Sequence, residues 1–367
     1  MLLWLLHRLT GLADTVGAAT SGDTRVYLTA RTAAAALCSF VAALLCGPVA
    51  IRWLKSRFRE RIDSASSRLN ELHAAKQGTP TMGGLFLVGA ILAAVVVFGD
   101  LTSRYVQIAT GLLLSYAVIG GADDWIKLRT ARRGLSARQK FAWQIVCGAA
   151  AATCLYAVQR THPLGTDLVW PFGGGHWPLG VVFVAWGTLV LVGSSNGVNL
   201  TDGLDGLAAG CLLTSGTAFA AVTYLTGHHH LAEYLQIPFM SGAGELTVVL
   251  GAMVGAVLGF LWYNAHPAEV FMGDTGSLPL GGLLGLAALV TRQELLLVVV
   301  GGVFVIETLS VILQVGCYKL LGRRVIACSP LHNHFVFRGM SEIKIVTRFW
   351  IVSVLLAILG VASLQIR

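Results

Sequence analysis

The run YVQIATGLLLSYAVIGGADDWIK, residues 105–127, indicates the fold class of this chain. Residues 105–122 carry no charged side chain, and the adjacent aspartates Asp123 and Asp124 follow directly. About 20 mostly apolar residues cross a bilayer as a helix, and a carboxylate at the centre of such a helix costs roughly 2.5–3.5 kcal/mol. The run therefore predicts a membrane-spanning helix that ends in a functional polar segment.

Similar apolar runs recur along the whole chain, which has 367 residues, 55% of them hydrophobic and 12% charged. A closed β-barrel would instead show alternating segments of about ten residues. The chain is therefore predicted to be all-α, with one membrane domain over 1–367 built as a polytopic bundle of about ten transmembrane helices. Residues 1–16 are amphipathic and are predicted to form an interfacial helix. The predicted spans are 30–53, 82–99, 105–122, 141–158, 179–195, 204–226, 245–263, 276–291, 295–318 and 348–365.

The distribution of basic residues predicts the orientation of the bundle. Segments 52–81, 123–140 and 319–348 hold 7, 6 and 6 of the 26 lysines and arginines. Loops rich in these residues stay in the cytoplasm, so both termini are predicted to be periplasmic. Because the basic residues follow membrane spans, the net charge of +8 does not indicate nucleic-acid binding.

The polar motifs all fall at span ends on the predicted cytoplasmic side, which predicts one active site on that face. Carboxylate and amide oxygens are the ligands of hard cations, and lysines bind phosphates, so these motifs predict phosphate chemistry at a membrane surface. They are KQGTPTMGG at 76–84, Asp123 and Asp124 with Lys127, NGVNLTDGLDGL at 196–207, GDTGS at 273–277 and SPLHNHF at 329–335.

Two motifs keep simpler interpretations open. Asp123 or Asp124 could form only an interfacial salt bridge with Lys127. Asp202 and Asp205 are spaced i, i+3, which places both on one side of a helical turn, but either could also cap a helix.

Other polar residues add candidates. The backbone N–H groups around Asp274 and Ser277 suit a phosphate at a helix start. His332 and His334 could bridge phosphates or transfer protons. Glu307 lies within a span and should face the bundle interior, with packing, lipid-phosphate positioning or a helix kink open as its role.

Together the motifs resemble one family, the polyprenyl-phosphate N-acetylhexosamine-1-phosphate transferases, over about residues 50–367. Within it, GTPTMGG and PLHNHF favour the branch that acts on phospho-N-acetylmuramoyl-pentapeptide. The resemblance rests on 76–84, 123–127, NGVNLTDGLDGLA at 196–208, NAHPAEVFMGDTGSL at 264–278, IETLSVILQV at 306–315 and the histidine loop.

The resemblance implies a reaction, a metal and a set of site residues. The branch transfers phospho-MurNAc-pentapeptide from UDP-MurNAc-pentapeptide to undecaprenyl phosphate, giving lipid I and UMP with Mg²⁺, in the bacterial inner membrane. Asp274 would be the principal Mg²⁺ ligand, Asp123 the base for the lipid phosphate, and Asp124 a support for metal or lysine. The other implied contacts are Lys127 and Lys140 with phosphates, Asn199, Asp202, Gly203, Leu204, Asp205, Asn264 and Phe271 with the nucleoside, and Lys76, Thr81 and Gln314 along the sugar-nucleotide groove. Asn196 and Ser277 are further candidate substrate-binding residues. A homodimer and a lipid groove near Glu307 and Gln314 are also implied.

The chain departs from the family in its last loop. The family pattern reads PLHHHF, and here the middle position is Asn333, while Val336 replaces an acidic residue that often follows. Asparagine forms hydrogen bonds but does not titrate near pH 7. Proton transfer at this middle position is therefore not expected here.

Three alternatives to the main interpretation remain, of which the first is an enzyme of the same class. A related transferase would transfer GlcNAc-1-phosphate or another hexosamine phosphate to a polyprenyl phosphate. A non-catalytic lipid transporter would show inverted repeats with sites near the membrane midplane, and neither feature is present in the sequence. An inactive scaffold would not be expected to keep all five aspartates of the motifs.

Overall fold

The computed structural model describes residues 27–57, 78–130, 134–170 and 175–365. The interfacial helix predicted for 1–16 lies outside this part of the chain. A two-stranded antiparallel sheet, β1 (Asp167–Val169) and β2 (His176–Pro178), stands between the fourth and fifth helices. The helices are α1 (Leu28–Arg57), α2 (Gly84–Phe98), α3 (Arg104–Arg129), α4 (Ala137–Gln159), α5 (Val182–Thr201), α6 (Leu207–Thr226), α7 (His229–Tyr234), α8 (Glu245–Asn264), α9 (Asp274–Thr291), α10 (Glu294–Val300), α11 (Gly302–Leu321), α12 (Leu331–Phe337) and α13 (Glu342–Ser363).

Nine helices in the described part of the chain are long and apolar enough to cross a membrane, namely α1, α3, α4, α5, α6, α8, α9, α11 and α13. The shorter apolar helix α2 has 15 residues. The prediction of an all-α membrane bundle with about ten spans is thereby confirmed.

The predicted ninth span, 295–318, is wrong as one continuous helix. The chain forms α10 and then α11, with the break at Gly301. A Cβ atom on the next residue, Gly302, would lie 2.8 Å from a methyl carbon of Leu356 on α13. Two adjacent glycines let the chain turn and let α13 approach the break closely.

Helix α9 is the centre of the bundle, and every residue of the helix is buried inside the protein. Glycines allow backbones to approach closely at helix crossings in membranes. A Cβ atom on Gly120 of α3 would overlap the backbone of Asp274, and one on Gly281 of α9 would lie 2.5 Å from the Ser194 carbonyl oxygen of α5. These close crossings bring the C-terminal ends of α3 and α5 to the N-terminus of α9.

A buried ion pair joins α1 to α8 near the other end of these helices. The Arg31 guanidinium donates two hydrogen bonds of 2.9 and 2.8 Å to the Glu245 carboxylate and also binds the Phe98 carbonyl oxygen. Bidentate pairing satisfies both charges. This pair therefore holds α1, α8 and the end of α2 together.

Candidate active site

The N-terminus of α9 is tied directly to the carboxylate of Asp124 on α3. The backbone N–H and the hydroxyl of Thr275 donate to Oδ2 of Asp124 at 3.0 and 2.7 Å. Gly273, the residue before α9, has φ of +70°, and a Cβ atom there would lie 2.6 Å from the same oxygen. Only glycine fits both the backbone angle and the space, which lets Asp274 start the helix beside Asp124.

Three buried carboxylates meet at this point. Asp123, Asp124 and Asp274 each place one oxygen within 4.8 Å of the others, and their exposed fractions are 3%, 3% and 8%. Asp123 and Asp124 come from the last turns of α3, and Asp274 from the first turn of α9. Uncompensated, three negative charges this close would repel one another strongly.

Two lysines compensate part of this charge. The Lys127 Nζ lies 2.8 Å from Asp123, 3.6 Å from Asp124 and 2.9 Å from Asp274. The Lys140 Nζ lies 2.6 Å from Asp274 and 3.7 Å from Asp123. Three carboxylates and two ammonium groups leave one net negative charge in the cluster.

Neutral donors fix the remaining carboxylate oxygens. The Asn199 side-chain amide donates to Oδ1 of Asp274 at 2.5 Å and to the Ser277 hydroxyl at 2.8 Å. The Leu135 backbone N–H donates to Oδ1 of Asp123 at 2.6 Å. Asn199 joins the end of α5 to the cluster, so four helices, α3, α4, α5 and α9, set its geometry.

The cluster fits a hard divalent cation such as Mg²⁺. Such ions take oxygen ligands and favour carboxylates, and the three aspartates supply oxygens close enough to share one ion. The residual negative charge of the cluster also favours a cation. Asp123, Asp124 and Asp274 are therefore the candidate ligands of such an ion.

The segment before α2 packs beside this cluster. Its backbone pairs with the segment before α9, because Phe271 N–H donates to the Pro80 oxygen and Gly83 N–H donates to the Phe271 oxygen, both at 2.9 Å. Thr81 is buried, and its hydroxyl lies 3.0 Å from the Cβ position of Gly273. Lys76 lies outside the described residues.

The predicted residues Asp205 and Asn264 belong to a second polar group. Asp205 Oδ2 accepts the Ala268 N–H at 3.1 Å and lies 3.0 Å from His266 Nδ1. Asp205 N–H donates to Glu342 at 2.8 Å, and Gly206 N–H donates to Asn264 at 3.0 Å. This group anchors the turn at 202–206 to α8 and α13.

His266, Glu342 and Thr275 were not predicted from the sequence to have a role in the site. His266 lies inside the quoted segment NAHPAE, and Thr275 inside GDTGS, so the motifs contained both residues. Glu342 starts α13, far along the chain, and no motif marked it. Its contact with the Asp205 backbone depends on helix packing alone.

Several other predicted residues bind partners away from the three aspartates. Gln314 pairs with the backbone of Val325 and Ile326 at 3.0–3.1 Å, and Asn196 donates to Gln144 at 3.0 Å. His334 Nδ1 accepts the Ala327 N–H at 3.1 Å. The other residues predicted to contact the nucleoside lie in the motifs at 196–207 and 264–278. Leu204 is buried, and Asp202 and Phe271 are half-buried.

An apolar groove of about 590 Å³ opens beside the cluster, between α1, α2 and α3. It reaches Thr275, the hydrogen-bond partner of Asp124. The sequence placed a lipid groove near Glu307 and Gln314, whereas this groove lies on a different set of helices. Its lining residues are Trp53, Met82, Leu85, Val88, Leu114, Ala117, Val118, Gly121, Ala122, Trp125 and Thr275.

Comparison with known proteins adds evidence that geometry alone does not give. The model of glycosyl transferase family 4 matches residues 106–292, and signature 1 of phospho-N-acetylmuramoyl-pentapeptide-transferase matches residues 76–88. The phospho-N-acetylmuramoyl-pentapeptide-transferases of Geobacter sp. (strain M21) and Pelobacter propionicus are each 44% identical to this chain over 343 residues. These alignments cover 93% of this chain and 94% of each relative.

The chain belongs to the phospho-N-acetylmuramoyl-pentapeptide-transferase family. The family resemblance inferred from the sequence motifs is thereby confirmed. The glycosyl transferase match begins in α3 and ends just after α9, so it contains the three aspartates, both lysines and Asn199. The transferase signature covers the segment that packs beside Gly273 and continues into α2.

Proposed function

We propose that this protein transfers phospho-MurNAc-pentapeptide from UDP-MurNAc-pentapeptide to undecaprenyl phosphate, giving lipid I and UMP. An oxygen of the lipid phosphate forms a new bond to the sugar-bearing phosphorus, and the bond from that phosphorus to the UMP oxygen breaks. The observation that carries the proposal is the cluster of Asp123, Asp124 and Asp274 with two lysines at one end of a membrane bundle. Membership in the transferase family supports it.

The main physical obstacle of this reaction is the repulsion between two negatively charged phosphates, and the two lysines reduce it. Lys127 and Lys140 stand within 4 Å of the aspartates, where they hold the phosphate oxygens and stabilise the charge that develops in the transition state. A bound Mg²⁺ would neutralise further phosphate charge. Asp274 and Asp124 would hold the ion, and Asp123 would accept a proton from the lipid phosphate.

The groove between α1, α2 and α3 offers a place for the prenyl chain of the acceptor lipid. Its apolar lining suits a hydrocarbon chain, and because it ends at Thr275, the phosphate of a chain bound there would lie next to Asp124. Trp53 and Trp125 are 45% and 48% exposed at the groove, and tryptophan favours the membrane interface. The lipid would thus reach the cluster from the bilayer.

The turn at 202–206 and Phe271 would bind the uridine half of the donor. The excess of lysine and arginine in the loops that carry the site supports a position on the cytoplasmic face of the bacterial inner membrane. Asn333 leaves the middle position of the last loop without a titratable group near pH 7. The homodimer implied by the resemblance stays a prediction.

The test is UMP release by purified full-length protein in detergent with Mg²⁺ and undecaprenyl phosphate. UDP-MurNAc-pentapeptide and UDP-GlcNAc are offered separately. We expect turnover with the muramoyl donor only, lost in Asp274→Ala and kept in Asp100→Ala, which removes an exposed-loop carboxylate bound to Thr102. Turnover with UDP-GlcNAc alone would assign the related reaction, and no turnover with either donor would contradict the proposal.

A further inference from the structure

Glu307 on α11 is fully buried and binds one residue of the last loop. Its carboxylate accepts the backbone N–H of His332 at 3.1 and 3.4 Å, and its Oε2 lies 3.2 Å from Nδ1 of the same residue. An ionisable side chain inside a membrane bundle needs such partners. Both the backbone and the imidazole of His332 are therefore fixed from one side.

The other imidazole nitrogen, Nε2, points at the turn after α5. It is buried and has no hydrogen-bond partner among the residues that the structure describes. A Cβ atom on Gly203 would overlap Nε2 and would lie 2.8 Å from Cε1 of the ring. The imidazole thus occupies the space that any side chain at position 203 would need.

A short turn of the chain connects Gly203 to Asn199, which contacts the carboxylate cluster. Gly203 N–H donates to the Thr201 oxygen at 2.9 Å, and Asp202 N–H donates to the Asn199 oxygen at 3.3 Å. Asn199 in turn donates to Asp274. A displacement of the turn at Gly203 would therefore move the residue that orients Asp274.

We propose that Glu307 and His332 are positioning residues that hold the donor-binding turn in place. Glu307 fixes the imidazole against Gly203. The imidazole in turn keeps the turn at 202–206, and with it Asn199, in position beside the carboxylate cluster. Nε2 is buried against Gly203, where a reacting atom would have to displace the turn to reach it. This role is an alternative to the catalytic role predicted for His332, and it rests on the proposed function of the same site.

The test compares variants of full-length protein in detergent by turnover and by calorimetric binding of UDP-MurNAc-pentapeptide. Gly203→Ala forces a methyl group into the imidazole, and we expect the KM for the donor to rise about tenfold or more. His332→Ala should raise KM by less and should keep kcat within about threefold of wild type. The double variant Gly203→Ala/His332→Ala should recover most of the affinity lost in Gly203→Ala, because the space is then free.

Glu307→Gln keeps the size of the side chain but leaves one oxygen to accept two N–H groups, so its KM should also rise. Gly193→Ala is the matched control, since its methyl group meets open space on the same helix α5. A large loss of kcat in His332→Ala with unchanged KM would overturn the proposal and make His332 catalytic. No recovery in the double variant, or wild-type behaviour of Glu307→Gln, would also overturn it.

Failure of the proposed function gives a different result. In that case the wild-type protein would neither bind nor turn over UDP-MurNAc-pentapeptide. If wild type is active and the double variant shows no recovery, the positioning role alone fails. Thermal unfolding of each variant separates both cases from loss of fold.

Discussion

The ammonium group of Lys127 lies 2.8 Å from Asp123, four residues away on its own helix, and 2.9 Å from Asp274, 147 residues further along the chain. One side chain thereby joins the end of α3 to the start of α9. The Lys127 side chain remains 40% exposed, while the carboxylates of Asp123 and Asp274 are buried. The charge of Lys127 is therefore also accessible to an incoming phosphate. The same residue therefore contributes to the assembly of the cluster and to its proposed chemistry.

Replacement of Lys127 by methionine should lower kcat about 10²–10³-fold, since it removes a preorganised positive charge from the reacting phosphates. The variant should still fold, because the N–H and hydroxyl of Thr275 continue to hold Asp124. Steady-state UMP release measures the effect, with Lys344→Met on the exposed face of α13 as control. Equal activity of the two variants would show that Lys127 has no role in the transfer.

Removal of divalent cations by a chelator should abolish turnover, and added Mg²⁺ should restore it in wild type but not in Asp274→Asn. Ligands that bind only the folded state raise the unfolding temperature, so Mg²⁺ should also stabilise wild type more than the variant in a thermal scan. This second readout does not depend on activity. Full turnover in excess chelator would rule out a metal requirement.

Thr275→Val should lower kcat by about tenfold, because Asp124 loses the hydroxyl that helps to orient it while remaining buried. Thr291→Val is the matched control on the same helix, since the Thr291 hydroxyl binds only carbonyl oxygens of its own helix, at Ala287 and Ala288. Kinetics of the two purified variants test the difference. Similar losses in both would assign the effect to the packing of α9 rather than to Asp124.

Val118→Trp should raise the KM for undecaprenyl phosphate several-fold, because the indole fills the groove along α3. The KM for the sugar nucleotide should not change, and a short prenyl phosphate should be less affected than the long acceptor. Leu189→Trp places the same group on the exposed face of α5, away from the groove. An unchanged acceptor KM in Val118→Trp would place the prenyl chain elsewhere.

Glu245→Ala should destabilise the protein by about 3–5 kcal/mol, because it leaves the Arg31 charge buried without its partner. Replacement of both residues, Arg31→Met with Glu245→Leu, should recover most of this loss. Thermal or denaturant unfolding in detergent measures both variants. A double variant no more stable than Glu245→Ala would show that the pair itself, rather than charge burial, determines stability here.

Much of the fold could be predicted from the sequence, because a bilayer requires long apolar helices whatever their neighbours are. The break at Gly301 could not, since two glycines within an apolar run are also common in continuous membrane helices. The partners of Glu307 and Gln314 could not be predicted either, because Glu307 binds His332 and Gln314 binds the loop backbone at 325–326. The lipid groove expected near these two residues stays a prediction.

The helical membrane class and the polar residues at helix ends can be predicted from the amino-acid sequence, since both follow from hydrophobic runs and the residues that interrupt them. Which of these residues touch depends on how the helices pack. Lys127 meets Asp274 because Gly120 lets α3 cross the start of α9 closely. Glu342 meets the Asp205 backbone because Gly210 of α6 leaves space for Trp350 of α13. Side-chain contacts between helices depend on that rotation, which a linear pattern of apolar and polar residues does not specify.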